Sequence, residues 1–168
     1  MTRITASSLM GFDDSKGRRR RMTPAEEATL ALARVSFLDF LRFWKFKNRE
    51  TGEILSMETL WPGQERFAEL MTIEKRILAL KAGKLGFTEL ECAWDAWVAL
   101  FAQPNARVHL FSKDAPAAQA LLEYVYFGLT HLPWFIQLPI VAKTTDMIRM
   151  PAGPNAVRTV VSYPWLLS

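Results

Sequence analysis

The sequence predicts an α/β domain in which a parallel sheet is flanked by helices. Short apolar runs that suit strands alternate along the chain with longer stretches of helical apolar spacing, which is typical of such sheets. Half of the 168 residues are hydrophobic, which is enough for a sizeable core. A short apolar run, Arg76–Leu80, leads into a basic, glycine-containing turn and then into a predicted helix, Glu89–Gln103.

The first predicted segment is a basic arm over residues 1–22. It contains six basic and two acidic residues, so it accounts for the whole formal net charge of +4. Four consecutive arginines do not suit a core, and we predict a disordered arm. Its cations would neutralise nucleic-acid phosphates, and a solvated arm without a ligand is the alternative. The basic residues concerned are Lys16, Arg18, Arg19, Arg20 and Arg21.

The second predicted segment is a helical lead-in over residues 23–75. In Thr23-Pro-Ala-Glu26 the threonine suits a cap, the proline suits the first helical position and the glutamate completes a capping box. We predict an aromatic helix over Pro24–Lys47, whose stripe of rings suits a core or a partner contact. A turn is predicted at Asn48–Gly52, and a second helix at Trp61–Met71.

The third predicted segment, residues 76–168, is the α/β core. Its predicted elements in order are a strand Ile77–Leu80, the turn Lys81–Thr88, a helix Glu89–Gln103, a strand Arg107–Ser112, a helix Asp114–Leu132 and a hairpin Met147–Ser162. Alternation of strands and helices predicts that these strands form one parallel sheet. In such sheets, ligands bind at the carboxyl ends of the strands.

The turn Lys81-Ala-Gly-Lys84-Leu-Gly86-Phe-Thr88 has the layout of a phosphate-binding loop. Backbone N–H groups of such a turn, together with the following helix N-terminus, attract phosphate. Against the standard pattern G-x-x-x-x-G-K-[ST], only Gly86 and Thr88 fit, and the basic residues are displaced to Lys81 and Lys84. On the motif alone, a polar loop that joins a strand to a helix is favoured, but its position after a predicted strand favours a nucleotide site.

A second feature lies upstream of the first predicted strand, in Trp61-Pro-Gly-Gln64. A glutamine amide donates and accepts together, which matches the N6/N7 edge of adenine. The indole of Trp61 offers a face on which a base can stack. Taken alone, Gln64 is better explained as an exposed helix residue.

Together, these two segments resemble the large terminase subunit of tailed bacteriophages, the ATPase that pumps DNA into a capsid. Members carry an adenine-reading glutamine segment before the first strand and many have a deviant Walker A loop, K-x-x-[RK]-x-G-[FY]-[ST]. Lys81-Ala-Gly-Lys84-Leu-Gly86-Phe-Thr88 matches that loop at each fixed position. The similarity extends from about Phe43 to Pro164.

The resemblance implies a RecA-like P-loop ATPase domain of the ASCE type, followed in the family by an RNase H-like nuclease. The implied cofactors are ATP and Mg²⁺. Lys81 and Lys84 would contact the β- and γ-phosphates, and the resemblance does not decide which of the two makes the main contact. Gly86 would let the backbone approach the phosphates, and Thr88 would hold Mg²⁺. The implied nucleotide-binding residues are Trp61, Gln64, Lys81, Gly83, Lys84, Gly86, Phe87 and Thr88.

The same resemblance implies partners and a location. The partners are double-stranded viral DNA, the portal, the small terminase subunit and further copies of the chain, without a membrane. The location is the cytoplasm of an infected or lysogenic bacterial cell, transiently at the procapsid. No signal peptide is visible, and the longest apolar stretch is too short to span a bilayer. One cysteine, Cys92, excludes a disulfide framework, and we expect it to be a buried inert thiol.

Phosphoryl transfer also needs an acid that helps to hold Mg²⁺, which a Walker B strand supplies as aliphatic residues followed by Asp-Glu. No acid downstream of Thr88 ends an aliphatic strand. We therefore expect the incomplete front part of an ATPase domain, from a truncated reading frame, a prophage remnant or a fragment. We expect it to bind nucleotide weakly at best, without hydrolysis, and to have no catalytic residue. Its open sheet edge would favour self-association.

Two other functions are consistent with the sequence. The first is a non-catalytic nucleic-acid-binding or adaptor protein that acts through the arginine arm and the aromatic helix. The second is a different P-loop protein, such as part of a helicase, which the absence of a lysine directly before Thr88 disfavours.

Overall fold

The computed structural model describes residues 10–13, 18–48, 50–80, 85–153 and 156–165, which form a mixed α/β structure. Five helices lie in these residues: α1 Pro24–Val35, α2 Phe37–Leu41, α3 Pro62–Ile73, α4 Phe87–Phe101 and α5 Ala115–Thr130. The strands are β1 Met10–Asp13, β2 Arg18–Arg21, β3 Lys45–Lys47, β4 Ile54–Ser56, β5 Arg107–Ser112, β6 Ala142–Lys143, β7 Met147–Gly153 and β8 Ala156–Pro164. The predicted α/β class is confirmed at this level.

The main sheet has four strands in the order β5-β8-β7-β6. Strand β5 pairs with β8 in parallel, whereas the β8–β7 and β7–β6 pairs are antiparallel. The predicted strand Arg107–Ser112 and the predicted hairpin are confirmed, but the all-parallel sheet is wrong for the described residues. The reason is connectivity: β7 and β8 are joined by a short connection, which allows only antiparallel pairing, whereas β5 reaches β8 through the intervening helix α5.

The predicted first strand, Ile77–Leu80, is not a strand in the structure. It has no ladder partner among the described residues, and the side chains of Leu78 and Leu80 are fully exposed. A strand is stable only where a neighbour bonds its N–H and C=O groups. The apolar run is therefore unpaired among the described residues.

The helix start at Thr23 is confirmed, but the aromatic helix does not continue to Lys47. The Thr23 N–H donates to Glu26 Oε2 at 2.8 Å, and the Glu26 N–H donates to Thr23 Oγ1 at 3.3 Å. Helix α1 ends at Val35, because Ser36 is extended (φ −128°, ψ 116°) and its Oγ accepts the Asp39 N–H at the start of α2.

A small hairpin follows α2. Strands β3 and β4 pair in antiparallel fashion around the predicted turn at Asn48–Gly52. Within the turn, Asn48 Oδ1 accepts the N–H groups of Glu50 and Thr51, and Gly52 has a φ of +75°. The turn prediction is confirmed, and its residues have the side-chain chemistry that such turns require.

The core lies between one face of the main sheet and the helices α2, α4 and α5. The aromatic stripe predicted from the sequence is part of this core: Phe37, Phe40 and Trp44 are at most 1% exposed. Phe37 packs edge-on against Trp94 of α4, with 5.0 Å between ring centroids. Helix α5 can approach Trp44 this closely because Gly128 has no side chain; a Cβ there would lie 2.1 Å from the indole.

Residues near the N-terminus differ from the predicted disordered arm. Strands β1 and β2 pair in antiparallel register, with Met10 opposite Arg21 and Asp13 opposite Arg18. Lys16 lies outside the described residues. In the described part of the chain, no helix has the length and apolarity needed to cross a membrane.

Candidate functional site

The start of helix α3 and the turn that precedes helix α4 meet in the structure, although they are 21 residues apart. Gln64 joins them: its Nε2 donates to the carbonyl oxygen of Leu85 at 2.9 Å, and its Oε1 accepts the Trp61 N–H at 3.2 Å. Gln64 is 8% exposed, so its amide is held in place rather than free in solvent. The predicted adenine-reading segment therefore contacts the part of the predicted phosphate-binding turn that the structure describes, Leu85–Thr88.

The local sequence explains why Gln64 occupies this position. Pro62 suits the first helical position, so Gln64 falls in the first turn of α3, where the N–H groups need partners from outside the helix. Its side chain reaches back to one of these groups, that of Trp61. One turn further on, Phe67 packs against Phe87 of α4, with 5.1 Å between ring centroids. Two contacts thus fix α3 against the beginning of α4.

Gly86 determines how the chain enters α4. It has a φ of +69°, in the left-handed region that favours glycine, and a Cβ at this position would lie 2.7 Å from Gln64 Nε2. Gly86 has no side chain with which to cap the helix, and the Leu90 N–H donates to its carbonyl at 3.2 Å. The N–H groups of the first turn therefore give this end of α4 the partial positive charge that attracts anions.

Trp61 and Thr88 border these contacts. Trp61 is 62% exposed, which leaves its indole accessible to a planar ligand. Thr88 is half-buried in the first turn of α4. An amide oxygen accepts two hydrogen bonds and an amide NH₂ donates two, so Gln64 retains one acceptor and one donor beyond those described. The indole of Trp61 and the amide of Gln64 could bind a purine, and the hydroxyl of Thr88 and the N-terminus of α4 could bind a phosphate with its metal ion.

The structure does not bring every predicted site residue together. Trp61, Gln64, Gly86, Phe87 and Thr88 belong to the neighbourhood just described. Lys81, Gly83 and Lys84 lie outside the described residues, so their phosphate contacts stay predictions. The same holds for the nucleic-acid role of the basic arm, of which the described positions are Arg18, Arg19, Arg20 and Arg21.

Asp95 is a functional candidate to which the sequence alone assigned no role. Thr88, Glu91 and Asp95 follow one another at helical spacing along one face of α4, starting from the turn. Burial and, secondarily, the negative charge of Glu91 raise the pKa of Asp95 to about 7. A carboxyl with that pKa exchanges its proton near neutral pH. The available sequence signal was the spacing of Glu91 and Asp95, two of the three acids of α4, four residues apart on a mostly apolar helix.

Comparison of the chain with protein-family models and with curated proteins finds no match. The geometry described above therefore carries the functional argument.

Proposed function

We propose that this chain is the nucleotide-binding portion of an ATP-driven motor that packages DNA, of the bacteriophage terminase large-subunit type. The observation that carries the proposal is the hydrogen bond between Gln64 Nε2 and the Leu85 carbonyl. It joins two segments, far apart in sequence, that resemble the adenine-reading and phosphate-binding segments of one family. In this proposal the described sheet is part of an incomplete RecA-like ATPase core.

Each residue of the neighbourhood has a role in the proposal. The indole of Trp61 stacks on adenine, and the remaining donor and acceptor of Gln64 read its N6/N7 edge. Lys81 and Lys84 contact the β- and γ-phosphates, and Gly83 and Gly86 allow the backbone to approach them. Phe87 anchors the turn through its contact with Phe67.

A nucleotide-bound Mg²⁺ fits the start of α4. A hydroxyl suits Mg²⁺ coordination in a phosphate-binding loop, and Thr88 offers one in the first turn of the helix. When bound, the ion would neutralise charge on the phosphates. We expect binding without sustained turnover, because no aliphatic strand ending in an acidic pair follows Thr88 in the sequence. Steady ATP hydrolysis by the purified chain would contradict this part of the proposal.

The partners follow from the resemblance and are part of the same proposal. They are double-stranded viral DNA, the portal, the small terminase subunit and further copies of the chain.

The alternative of an adaptor that docks through its aromatic helix has less support. Three of the rings on which it depends, those of Phe37, Phe40 and Trp44, are buried in the core and inaccessible to a partner.

The test is binding of a fluorescent ATP analogue to the full chain with Mg²⁺. We expect the double variant Lys81→Ala/Lys84→Ala to bind at least tenfold more weakly, because it removes two charge-assisted hydrogen bonds to phosphate. A matched control, Lys45→Ala/Lys47→Ala, removes two exposed lysines from β3 and should bind as the wild type does. The single variants show which lysine makes the main contact.

Unchanged binding by the Lys81→Ala/Lys84→Ala variant would remove this turn as a nucleotide site. Loss of DNA binding on deletion of residues 1–22, with no response to nucleotide, would favour the non-catalytic nucleic-acid-binding function instead.

A further inference from the structure

The main sheet has one face that the helices of the core do not cover. Val108, Leu110, Ile148 and Val160 point into the core, so the residues that alternate with them on β5, β7 and β8 point outward. The outward residues include a set of rings, which we call the aromatic face: His109, Phe111 and Tyr163, with Trp165 directly after β8. Phe111 is 54% exposed, Tyr163 38% and Trp165 58%.

The rings of His109, Phe111 and Tyr163 are held nearly parallel by the strands. Phe111 and Tyr163 are register partners in the parallel pair β5–β8, with 5.5 Å between centroids and 24° between planes. His109 lies 5.5 Å from Tyr163 with 10° between planes. Trp165 meets the edge of Phe111 at 6.0 Å and 79°. Rings fixed on strands lose little entropy when a planar ligand stacks on them.

Positive charge lies on the same face, in the outward row next to that of His109 and two outward rows from that of Phe111 and Tyr163. Arg107 and Arg149 are both opposite Thr159, from the two sides of β8, so the three strands carry an arginine, a threonine and an arginine side by side. Both arginines are exposed. The outward side chains of neighbouring strands form three rows across the sheet. In the part that the structure describes, none of these side chains is a carboxylate. The residues are Arg107, Thr159, Arg149 and Ala142 in the first row, His109, Val161 and Met147 in the second, and Phe111 and Tyr163 in the third.

Residues 23–168 as a whole have no formal net charge, so the excess of positive over negative charge on this face is a local feature. A surface that combines aromatic rings with exposed guanidinium groups is complementary to a polyanion with accessible planar groups. A cavity of about 340 Å³ adjoins the rings, lined by Phe111, Ser112, Lys113 and Trp165. It lies beside the carboxyl ends of the parallel pair β5–β8.

We propose that the aromatic face binds single-stranded nucleic acid, with bases stacked on Phe111, Tyr163 and Trp165 and backbone phosphates on Arg107 and Arg149. A duplex fits less well, because its bases already stack on one another and do not present their faces. A second copy of this face would bring the same positive charge. The proposal goes beyond the proposed function, since it involves neither Gln64 nor the turn before α4.

The test measures fluorescence anisotropy of a labelled fifteen-nucleotide oligothymidylate with the full chain. The variant Phe111→Leu/Tyr163→Leu keeps apolar bulk but removes two ring faces. We expect it to bind at least about fivefold more weakly, because stacking on an aromatic side chain contributes about 1–3 kcal/mol per base. Val35→Ala, at a position that is 79% exposed on α1, is the matched control and should bind as the wild type does.

Charge is tested separately with Arg107→Gln/Arg149→Gln. We expect weaker binding and a shallower dependence of the logarithm of affinity on the logarithm of salt concentration, by about 0.7 for each phosphate that an arginine no longer neutralises. Circular dichroism and thermal unfolding establish that each variant is folded. All measurements are repeated in a background with Arg18, Arg19, Arg20 and Arg21 changed to Gln, because the basic arm could bind the same oligonucleotide independently.

Crosslinking with oligonucleotides that contain 5-iodouracil locates the bound base directly. Crosslinks to Phe111, Tyr163 or Trp165, together with the loss of affinity in the leucine variant, support the proposal. Wild-type affinity of the leucine variant in both backgrounds overturns it, and so do crosslinks confined to residues 1–22. A leucine variant that changes the oligomeric state but not the affinity also overturns it, since the face would then be an interface between copies.

Discussion

At the scale of single residues, Gln64 and Gly86 form a matched pair. The amide of Gln64 occupies the space that a side chain at position 86 would need. The sequence identified both residues as site candidates, for their roles towards adenine and phosphate. It did not predict that one requires the other, because 22 positions separate them along the chain and nothing in either segment specifies that distance.

We expect Gly86→Ala to lower the free energy of unfolding by about 1–3 kcal/mol. Left-handed backbone costs a non-glycine residue roughly 1–2 kcal/mol, and displacement of Gln64 removes a hydrogen bond worth about 1 kcal/mol. Urea denaturation measures the change.

The matched control is Gly63→Ala, in the first turn of α3, where an added Cβ would meet nothing within 4 Å. Alanine is the better helix former by up to about 1 kcal/mol, so this variant should be as stable as the wild type or more stable. Equal destabilisation of the two variants would show that Gly86 and Gln64 do not make the contact described.

At the scale of elements, the helices were the most predictable parts of the molecule. Their starts depend on residues within one turn, such as Thr23 and Glu26 at the beginning of α1. The break at Ser36 was missed, although Ser36 caps α2 locally, because the packing of Phe37 and Phe40 against α4 that accompanies the break is not visible in the local sequence. Helix α4 was predicted, whereas the effect of burial on Asp95 was not.

Helix α4 carries a pH-dependent prediction. The pKa of Asp95 is raised in the folded state to about 7, so the folded state binds the proton more tightly than the unfolded state does. Its contribution to stability is therefore greatest below about pH 4 and is lost as the pH rises towards 7. We expect Asp95→Asn to be more stable than the wild type at pH 8, by more than about 1 kcal/mol.

The difference in unfolding free energy between Asp95→Asn and the wild type should shrink as the pH falls from 8 to 4, as followed by urea denaturation at each pH. Glu65→Gln, at an exposed position of α3, controls for the removal of one surface charge. A difference that is independent of pH, or the same in both variants, would contradict the raised pKa.

At the scale of the whole molecule, the main sheet has one face against the helices and the other exposed. The segment Ile77–Leu80 adds to the exposed apolar surface, because Leu78 and Leu80 are completely accessible and their backbone has no ladder partner among the described residues. Exposed apolar segments with unpaired backbone promote association between chains. The sequence predicted the open edge, although it placed this segment inside the sheet.

We expect the variant Leu78→Lys/Leu80→Lys to reduce self-association, since like charges on an unpaired segment oppose strand pairing between copies. Sedimentation velocity over a range of protein concentrations measures the change. The control, Leu32→Lys/Val35→Lys, places the same charges at exposed positions of α1, where the backbone is bonded within the helix. Equal effects of the two variants would mean that net charge, rather than this segment, controls association.

The sequence by itself determined the α/β class, the helix starts, the β7–β8 hairpin and the residues of a candidate nucleotide site. These features depend on contacts within a few residues, such as caps, turns and apolar spacing. The tertiary structure alone decided which strands are neighbours, which face of the sheet is exposed, that Gln64 contacts Leu85, and that burial raises the pKa of Asp95 to about 7. Those properties arise from burial and pairing between segments that are distant in sequence. The free energy of these contacts depends on how the whole chain packs, and no local sequence pattern specifies it.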